Sequence, residues 1–353
     1  MIPMHMSSMR RTTVALGSAT CLLLAGCGSS TGTEEASGAT GGGELSVLAG
    51  FYPLQWAAEQ VGGDRVSVTS ATPPGGEPHD LELTPRDVAA ISEADLVLYL
   101  EGFQPGLDDA VASEAPDAAW DAGQAADLSL TTTGGHDHAH EEEAHAEEEA
   151  HTEDEAHTED EAHAEEEAHT EDEAHAEGEE SVDPHFWLDP ARLADVADAM
   201  ADRLAELDPD GADTYADNAA ALRADLEALD AEMSDGLAGC AVDTLVTSHD
   251  AFGYLGERYG LEVVGINGLS PSQEPSAAQL AEITELVADR GITTVYTETL
   301  VDPAVAETVA AEAGVRTAVL DPIEGLTDES AGEDYLEVMR ANLATLQEGQ
   351  NCS

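Results

Sequence analysis

The fold is decided by residues 44–100, which read ELSVLAG FYPLQWAAEQ VGGDRVSVTS ATPPGGEPHD LELTPRDVAA ISEADLVLYL. Leu45–Ala49 is an apolar run of strand length, and Gln55–Val61 reads as helix. Val66–Thr69 is a second strand, followed by a Pro/Gly-rich loop from Pro73 to Pro78. Thr84 and Pro85 supply a cap and a first-turn proline for a helix running to about Glu93, and Leu96–Leu100 is a third strand of the buried kind. Strands alternating with helices in this order predict a parallel sheet covered by helices.

The same alternation returns later in the chain. Ala191–Leu207 is a helix stopped at Asp208-Pro209. Asp213 to about Leu237 is a longer one, with Tyr215, Ala219, Leu222, Leu226, Leu229 and Met233 recurring at three- and four-residue steps. Thr244–Thr247, Glu262–Ile266, Thr293–Tyr296 and Thr317–Leu320 are strands, with helices between them at Ser276–Arg290 and Pro303–Ala313. The expected class is α/β, with two lobes, each a parallel sheet flanked by helices, joined by a long rigid helix. The lobes span residues 44–210 and 238–353, and the linking helix spans 211–237. Ligands of open α/β sheets lie beyond the carboxyl ends of the strands, so two facing lobes predict a site in the cleft between them.

Between the halves, residues 134–180 break the pattern. They hold nine histidines (His136, His138, His140, His145, His151, His157, His163, His169 and His175) and 22 acidic residues, with no basic and no large apolar side chain. Such a segment has nothing with which to bury a core, so disorder is expected. The last six histidines fall six residues apart. On a helix that step advances by about 240°, which scatters the rings over three faces and argues for a flexible chelating segment, not a helical metal stripe. The alternative is a solvated spacer.

Composition bounds the partners. The 353 residues carry a formal charge of −64, from 75 acidic and 11 basic side chains, and every basic one is arginine. Nucleic acid is excluded as a partner, because this surface repels phosphate. At the N-terminus, Arg10 and Arg11 precede an apolar stretch from Val14 to Leu24 that ends in Leu24-Ala25-Gly26-Cys27. That arrangement is an export signal over residues 1–26. A cysteine directly after Leu-Ala-Gly resembles the bacterial lipoprotein cleavage box, which implies a lipid on Cys27. A Gly/Ser/Thr-rich tether to residue 43 and an extracytoplasmic, membrane-anchored body follow. Cys21 leaves with the signal, so Cys240 and Cys352 remain, and an oxidising compartment favours a disulfide between them over two free thiols.

Of 13 histidines, only His79, His185 and His249 lie in the part expected to fold. Each sits in a loop or just past a strand, in the strings Gly76-Glu77-Pro78-His79-Asp80, Asp183-Pro184-His185-Phe186-Trp187-Leu188-Asp189-Pro190 and Thr247-Ser248-His249-Asp250. A single histidine is more often structural than ligating. Three together suit Zn²⁺, which takes three or four N, O or S ligands near tetrahedral geometry.

These strings resemble those of the metal-binding solute-binding proteins of zinc and manganese ABC importers (cluster A-I), from Leu45 to the C-terminus apart from the acidic tract. The resemblance implies two α/β lobes with metal in the cleft. It implies metal ligands at His79, His185 and His249, the last being histidine in zinc-type members, and a fourth at Asp321 in Leu320-Asp321-Pro322-Ile323, directly or through water. Glu77 and Glu298 are candidates for orienting imidazole N–H groups. The family also implies that Zn²⁺ is bound as cargo, with an ABC permease and its ATPase as partners, and a monomer is expected. It commonly carries a His- and acid-rich loop where residues 134–180 stand, which suggests an auxiliary metal-collecting segment. The alternatives are a Mn²⁺, Fe²⁺ or Ni²⁺ binder of the same transport class, or an adhesin or metal buffer. No enzyme is expected: the His-Glu-x-x-His and His-x-x-Glu-His spacings are absent, and a fourth carboxylate ligand would close the position that a catalytic water needs.

Overall fold

A computed structural model describes residues 44–133 and 180–353. The leader, Cys27, the tether and the nine tract histidines lie outside the described residues. The first half contains β1 (Leu45–Ala49), α1 (Tyr52–Gly62), β2 (Val66–Ser70), α2 (Pro85–Glu93), β3 (Leu96–Tyr99), α3 (Pro105–Glu114), β4 (Ala119–Asp121), α4 (Gly123–Ala126) and β5 (Thr131–Thr133). After the undescribed stretch come β6 (Glu180–Val182), α5 (Pro190–Leu207), α6 (Ala212–Leu237), β7 (Thr244–Thr247), α7 (Gly253–Tyr259), β8 (Glu262–Gly265), α8 (Ala277–Asp289), β9 (Thr294–Thr297), α9 (Ala304–Ala313), β10 (Arg316–Val319) and α10 (Tyr335–Gly349).

Two parallel four-stranded sheets result, ordered β2-β1-β3-β4 and β8-β7-β9-β10. The two orders are the same when read from the outer strand. In each sheet the second and third strands in space are those from which the chain departs to opposite sides. In open α/β sheets a ligand binds beyond the carboxyl ends of such strands. Short antiparallel β5 and β6 pair Thr133 with Glu180, so the two ends of the His/acid tract leave the fold as neighbours.

Local chemistry explains the boundaries. The Thr84 side chain accepts from the Asp87 amide while Asp87 accepts from Thr84 N, a reciprocal cap that starts α2 with Pro85 in its first turn. Asp189 caps α5 by a single bond, accepting from the Ala191 amide, with Pro190 first in the helix. Helix α1 begins earlier than its apolar periodicity suggests, at Tyr52, because Pro53 fits the first turn. Along α6, Tyr215, Ala219, Leu222, Leu226, Leu229, Met233 and Leu237 are buried, one continuous stripe on a helix of 26 residues. Each large apolar side chain buried there contributes about 1.5–3 kcal/mol. The stripe packs against α5, α1 and α10, so α6 is the spine on which elements of both sheets rest.

One core cluster runs from Phe51 and Trp187 through Leu226 to Tyr254 and Tyr335, joining the two halves. Two smaller clusters fill the outer layers, one around Ile91, Val97 and Leu107 and the other around Val246, Ile283 and Val309. Cys240 and Cys352 are disulfide-bonded, tying the C-terminus to the segment just before β7. No helix among the described residues is long and apolar enough to cross a membrane.

Candidate metal centre

Four side chains from loops that follow β2, β6, β7 and β10 converge: His79, His185, His249 and Glu324. His79 lies in the loop after β2. The Glu77 carboxylate accepts from the amides of His79 (3.0 Å) and Asp80 (3.1 Å), which curls the loop, and the Gln104 amide donates to the Pro78 carbonyl at 3.2 Å. The His79 ring packs edge-on against Phe103, 4.6 Å between centroids. His185 follows β6 and is fully buried. Asp183 Oδ1 accepts from its amide at 2.9 Å and meets its ring Nδ1 at 2.8 Å. His249 stands two residues past β7, and Glu298 stands directly after the neighbouring β9. Glu298 Oε1 accepts from the His249 amide at 3.0 Å, while Oε2 meets ring Nδ1 at 2.6 Å.

These carboxylates decide the tautomers of two rings. An Nδ1 that faces a carboxylate at hydrogen-bond distance carries the proton, which leaves Nε2 as a lone pair. In the neutral, metal-loaded form the Nε2 atoms of His185 and His249 would therefore offer their lone pairs to an ion at the centre, whereas without metal a proton on Nε2 can be donated to Glu324 Oε1. Glu324 Oε1 lies 3.4 Å from His79 Nε2 and 3.2 Å from both His185 Nε2 and His249 Nε2. His185 Nε2 lies 3.3 Å from His79 Nε2 and 3.4 Å from His249 Nε2. Ligands about 2.0–2.1 Å from a tetrahedral Zn²⁺ are about 3.3–3.4 Å from one another. Five of the six edges of the donor set match that spacing, and all four donor atoms lie within 4.8 Å of one another.

Electrostatics favour positive charge at the same point. Burial pushes the His185 imidazole down, but Asp183 and Glu324 outweigh it and its pKa is raised. Burial also opposes charge on His249, yet Glu298 and Glu324 together hold it well above its ordinary value. Burial pushes the Glu324 carboxyl up, and contacts with His185, His249 and His79 more than offset this, leaving it well below the usual carboxylate range. Glu324 Oε2 is buried without a hydrogen-bond partner. Three buried or nearly buried carboxylates (Asp183, Glu298 and Glu324) thus surround three imidazoles, an arrangement that is costly without positive charge and satisfied by a divalent ion.

The structure brings together the three histidines read from the sequence and corrects the fourth donor. Asp321 is buried at 3% exposure, but its Oδ1 accepts from the Ile323 amide at 2.8 Å and it is not among the converging groups. Glu324, three residues on, reaches the rings instead. Glu77 is also corrected: it binds backbone amides, not an imidazole nitrogen. Glu298 does contact a ring nitrogen. Asp183, its counterpart on His185, was not anticipated. Its signal was its place two residues before His185, the spacing at which an acidic side chain caps the following amides.

The chain matches the family described as zinc-uptake complex component A, periplasmic, over residues 47–349. It is 35% identical over 349 residues to the zinc-binding lipoprotein AdcA of Streptococcus pneumoniae serotype 4, covering 96% of this chain and 61% of that protein. The chain thus spans about three fifths of the length of that relative. It is 33% identical over 329 residues to the high-affinity zinc uptake system protein ZnuA of Bacillus subtilis, covering 93% of each. The crystal structure of the Zn(II)-bound ZnuA-like domain of S. pneumoniae AdcA superposes with a TM-score of 0.64 at 32% identity, covering 88% of this chain and all of that one. With a family match across nearly all of the described residues and the fold and donor set above, the chain belongs to the ZnuA family of zinc-uptake components.

Proposed function

We propose that this protein captures Zn²⁺ outside the cytoplasm and delivers it to the permease of an ABC importer, with His79, His185, His249 and Glu324 as the ligands and Cys27 as the lipid-bearing anchor. The observation that carries the reading is the donor spacing: three imidazole Nε2 atoms and one carboxylate oxygen separated by the edges of a zinc tetrahedron. Three nitrogens and one oxygen favour Zn²⁺ over Mn²⁺, which prefers more oxygen ligands. Glu324 fills the fourth position, which supports carriage over hydrolysis, because a catalytic zinc keeps that position for water. The family membership supports the transport role, and the names of AdcA and ZnuA support zinc as the cargo. The tract spanning residues 134–180 would collect ions weakly beside the site, its two ends held together by the β5–β6 pair.

Metal analysis and competition titration test this reading. The chain lacking residues 134–180 should bind one Zn²⁺ tightly and the full chain should add weaker sites, while His249→Ala should lose the tight site in either background. Retention of tight one-to-one binding by His249→Ala would overturn the assignment.

A further inference from the structure

Three non-glycine residues among those described have positive φ: Asp127, Asn351 and Ile323. Asp and Asn visit the left-handed region readily, whereas a β-branched side chain there is a steric outlier. Ile323 has φ +59° and is fully buried, one residue before Glu324. Strain of this kind persists only where surrounding contacts over-determine it.

Those contacts are present at every residue of the turn. Asp321 Oδ1 accepts from the Ile323 amide at 2.8 Å. The buried Asn342 side chain on α10 grips Asp321 from both sides, accepting from its amide at 2.9 Å and donating to its carbonyl at 2.7 Å. The Trp187 indole, two residues from His185, donates to the Pro322 carbonyl at 2.7 Å. With residues 321–323 pinned in this way, the next residue projects its carboxylate onto the three rings. Glu324 also borders a cavity of about 380 Å³ whose walls include Tyr52, Gln55, Thr69, Ser70 and Thr72. Pro73, Pro74 and Leu326 line it as well, so the cavity offers a displaced Glu324 side chain room to turn.

Building on the zinc-carrier reading, we propose that residues 321–324 form a strained latch in which Asp321 and Asn342 hold Ile323 left-handed and so keep Glu324 on the ion, and that zinc leaves when Ile323 relaxes and Glu324 swings into the adjoining cavity. Asp321 and Asn342 are then positioning residues that set the rate of release without touching the metal. The strain belongs to the closed state alone, so it speeds opening while leaving the donor geometry intact.

Stopped-flow release of Zn²⁺ from the loaded full chain into excess chelator tests the latch, with circular dichroism to confirm folding of each variant. Ile323→Ala and Ile323→Gly delete the same buried side chain and differ in their tolerance of positive φ. If the left-handed turn exists only when closed, Ile323→Ala releases zinc about fivefold to thirtyfold faster than Ile323→Gly. Asp321→Ala, which loses the acceptor for the Ile323 amide, releases about tenfold faster than the unaltered chain, and Asp321→Asn, which keeps an oxygen there, restores slow release. Equal rates for the Ile323 pair within twofold, or equally fast release from both Asp321 variants, overturn the latch while leaving zinc carriage standing. Should Asp321→Ala fail to fold, the Ile323 pair decides alone. Failure of the unaltered chain to bind zinc one-to-one overturns both.

Discussion

Replacing Glu298 by glutamine isolates the contribution of a residue that never reaches the metal. In the native site one carboxylate serves two donors at once: Oε1 accepts from the His249 amide at 3.0 Å and Oε2 from ring Nδ1 at 2.6 Å. Glutamine has one acceptor and one NH₂ group, so it cannot accept from both. If its oxygen stays on the amide, the NH₂ group faces Nδ1, favours the opposite tautomer and puts a proton on the Nε2 that should bind zinc. If its oxygen turns to Nδ1, the buried amide is left unpaired. Loss of an orienting partner of this type costs about tenfold to hundredfold in metal affinity, or about 1.4–2.7 kcal/mol. The penalty should depend on pH in a defined direction. Glu298 raises the pKa of His249, so the glutamine variant lowers it and weakens proton competition for Nε2. The affinity gap between Glu298→Gln and the unaltered chain should therefore be widest at alkaline pH and narrow as pH falls. Competition titration against a fluorescent chelator from pH 6 to pH 9 measures it. Affinities within twofold at every pH would refute the reasoning.

Two further expectations follow from the same geometry. In the zinc-free protein, the raised pKa values of His185 and His249 supply stability that is complete below their ordinary value of 6.5 and disappears as pH rises through the folded values. The depressed Glu324 supplies stability above its ordinary 4.5 that is lost as pH falls through its folded value. Thermal melts without zinc should thus peak in mildly acidic buffer and decline toward alkaline pH, while saturating zinc removes the alkaline decline; a zinc-free melting temperature that keeps rising with pH above 6.5 contradicts this. Removing the disulfide with Cys352→Ser opens a loop whose ends are 112 residues apart, at a cost of about 4–5 kcal/mol in the chain-entropy model and about 10 °C in melting temperature. Because Cys240 precedes β7 while His249 follows it, zinc affinity of the folded variant should stay within about threefold, as titration below its melting temperature would show.

Much of the fold was legible because its signals are local. Thr84-Pro85 and Asp189-Pro190 mark helix starts through the hydrogen bonds a cap makes within three residues, and the α6 stripe repeats at helical steps. Strand limits in the second half differ from the sequence reading by one residue, at β9 and β10 for instance, because apolar runs do not say where pairing stops. The β5–β6 pair was not read at all. Its partners are separated by the acidic tract, and nothing in Thr131–Thr133 indicates a match with Glu180–Val182.

For the proposed site, the sequence alone supplied the candidate donors: three histidines outside the repetitive tract, set in strings that resemble a metal-transport family, and a carboxylate just past the last strand. A histidine count does not depend on conformation. Only the tertiary structure shows which carboxylate lies beside the rings. The resemblance pointed to Asp321, and Glu324, three residues on in the same loop, carried no signal of its own. The left-handed turn at Ile323 spends the first on a backbone amide and aims the second at the rings. The same holds for Asp183 and Glu298. Their pairing with Nδ1 atoms follows from how the chain is folded around β6 and from the adjacency of β7 and β9, and adjacency of strands is a property of the sheet that no local stretch of residues contains.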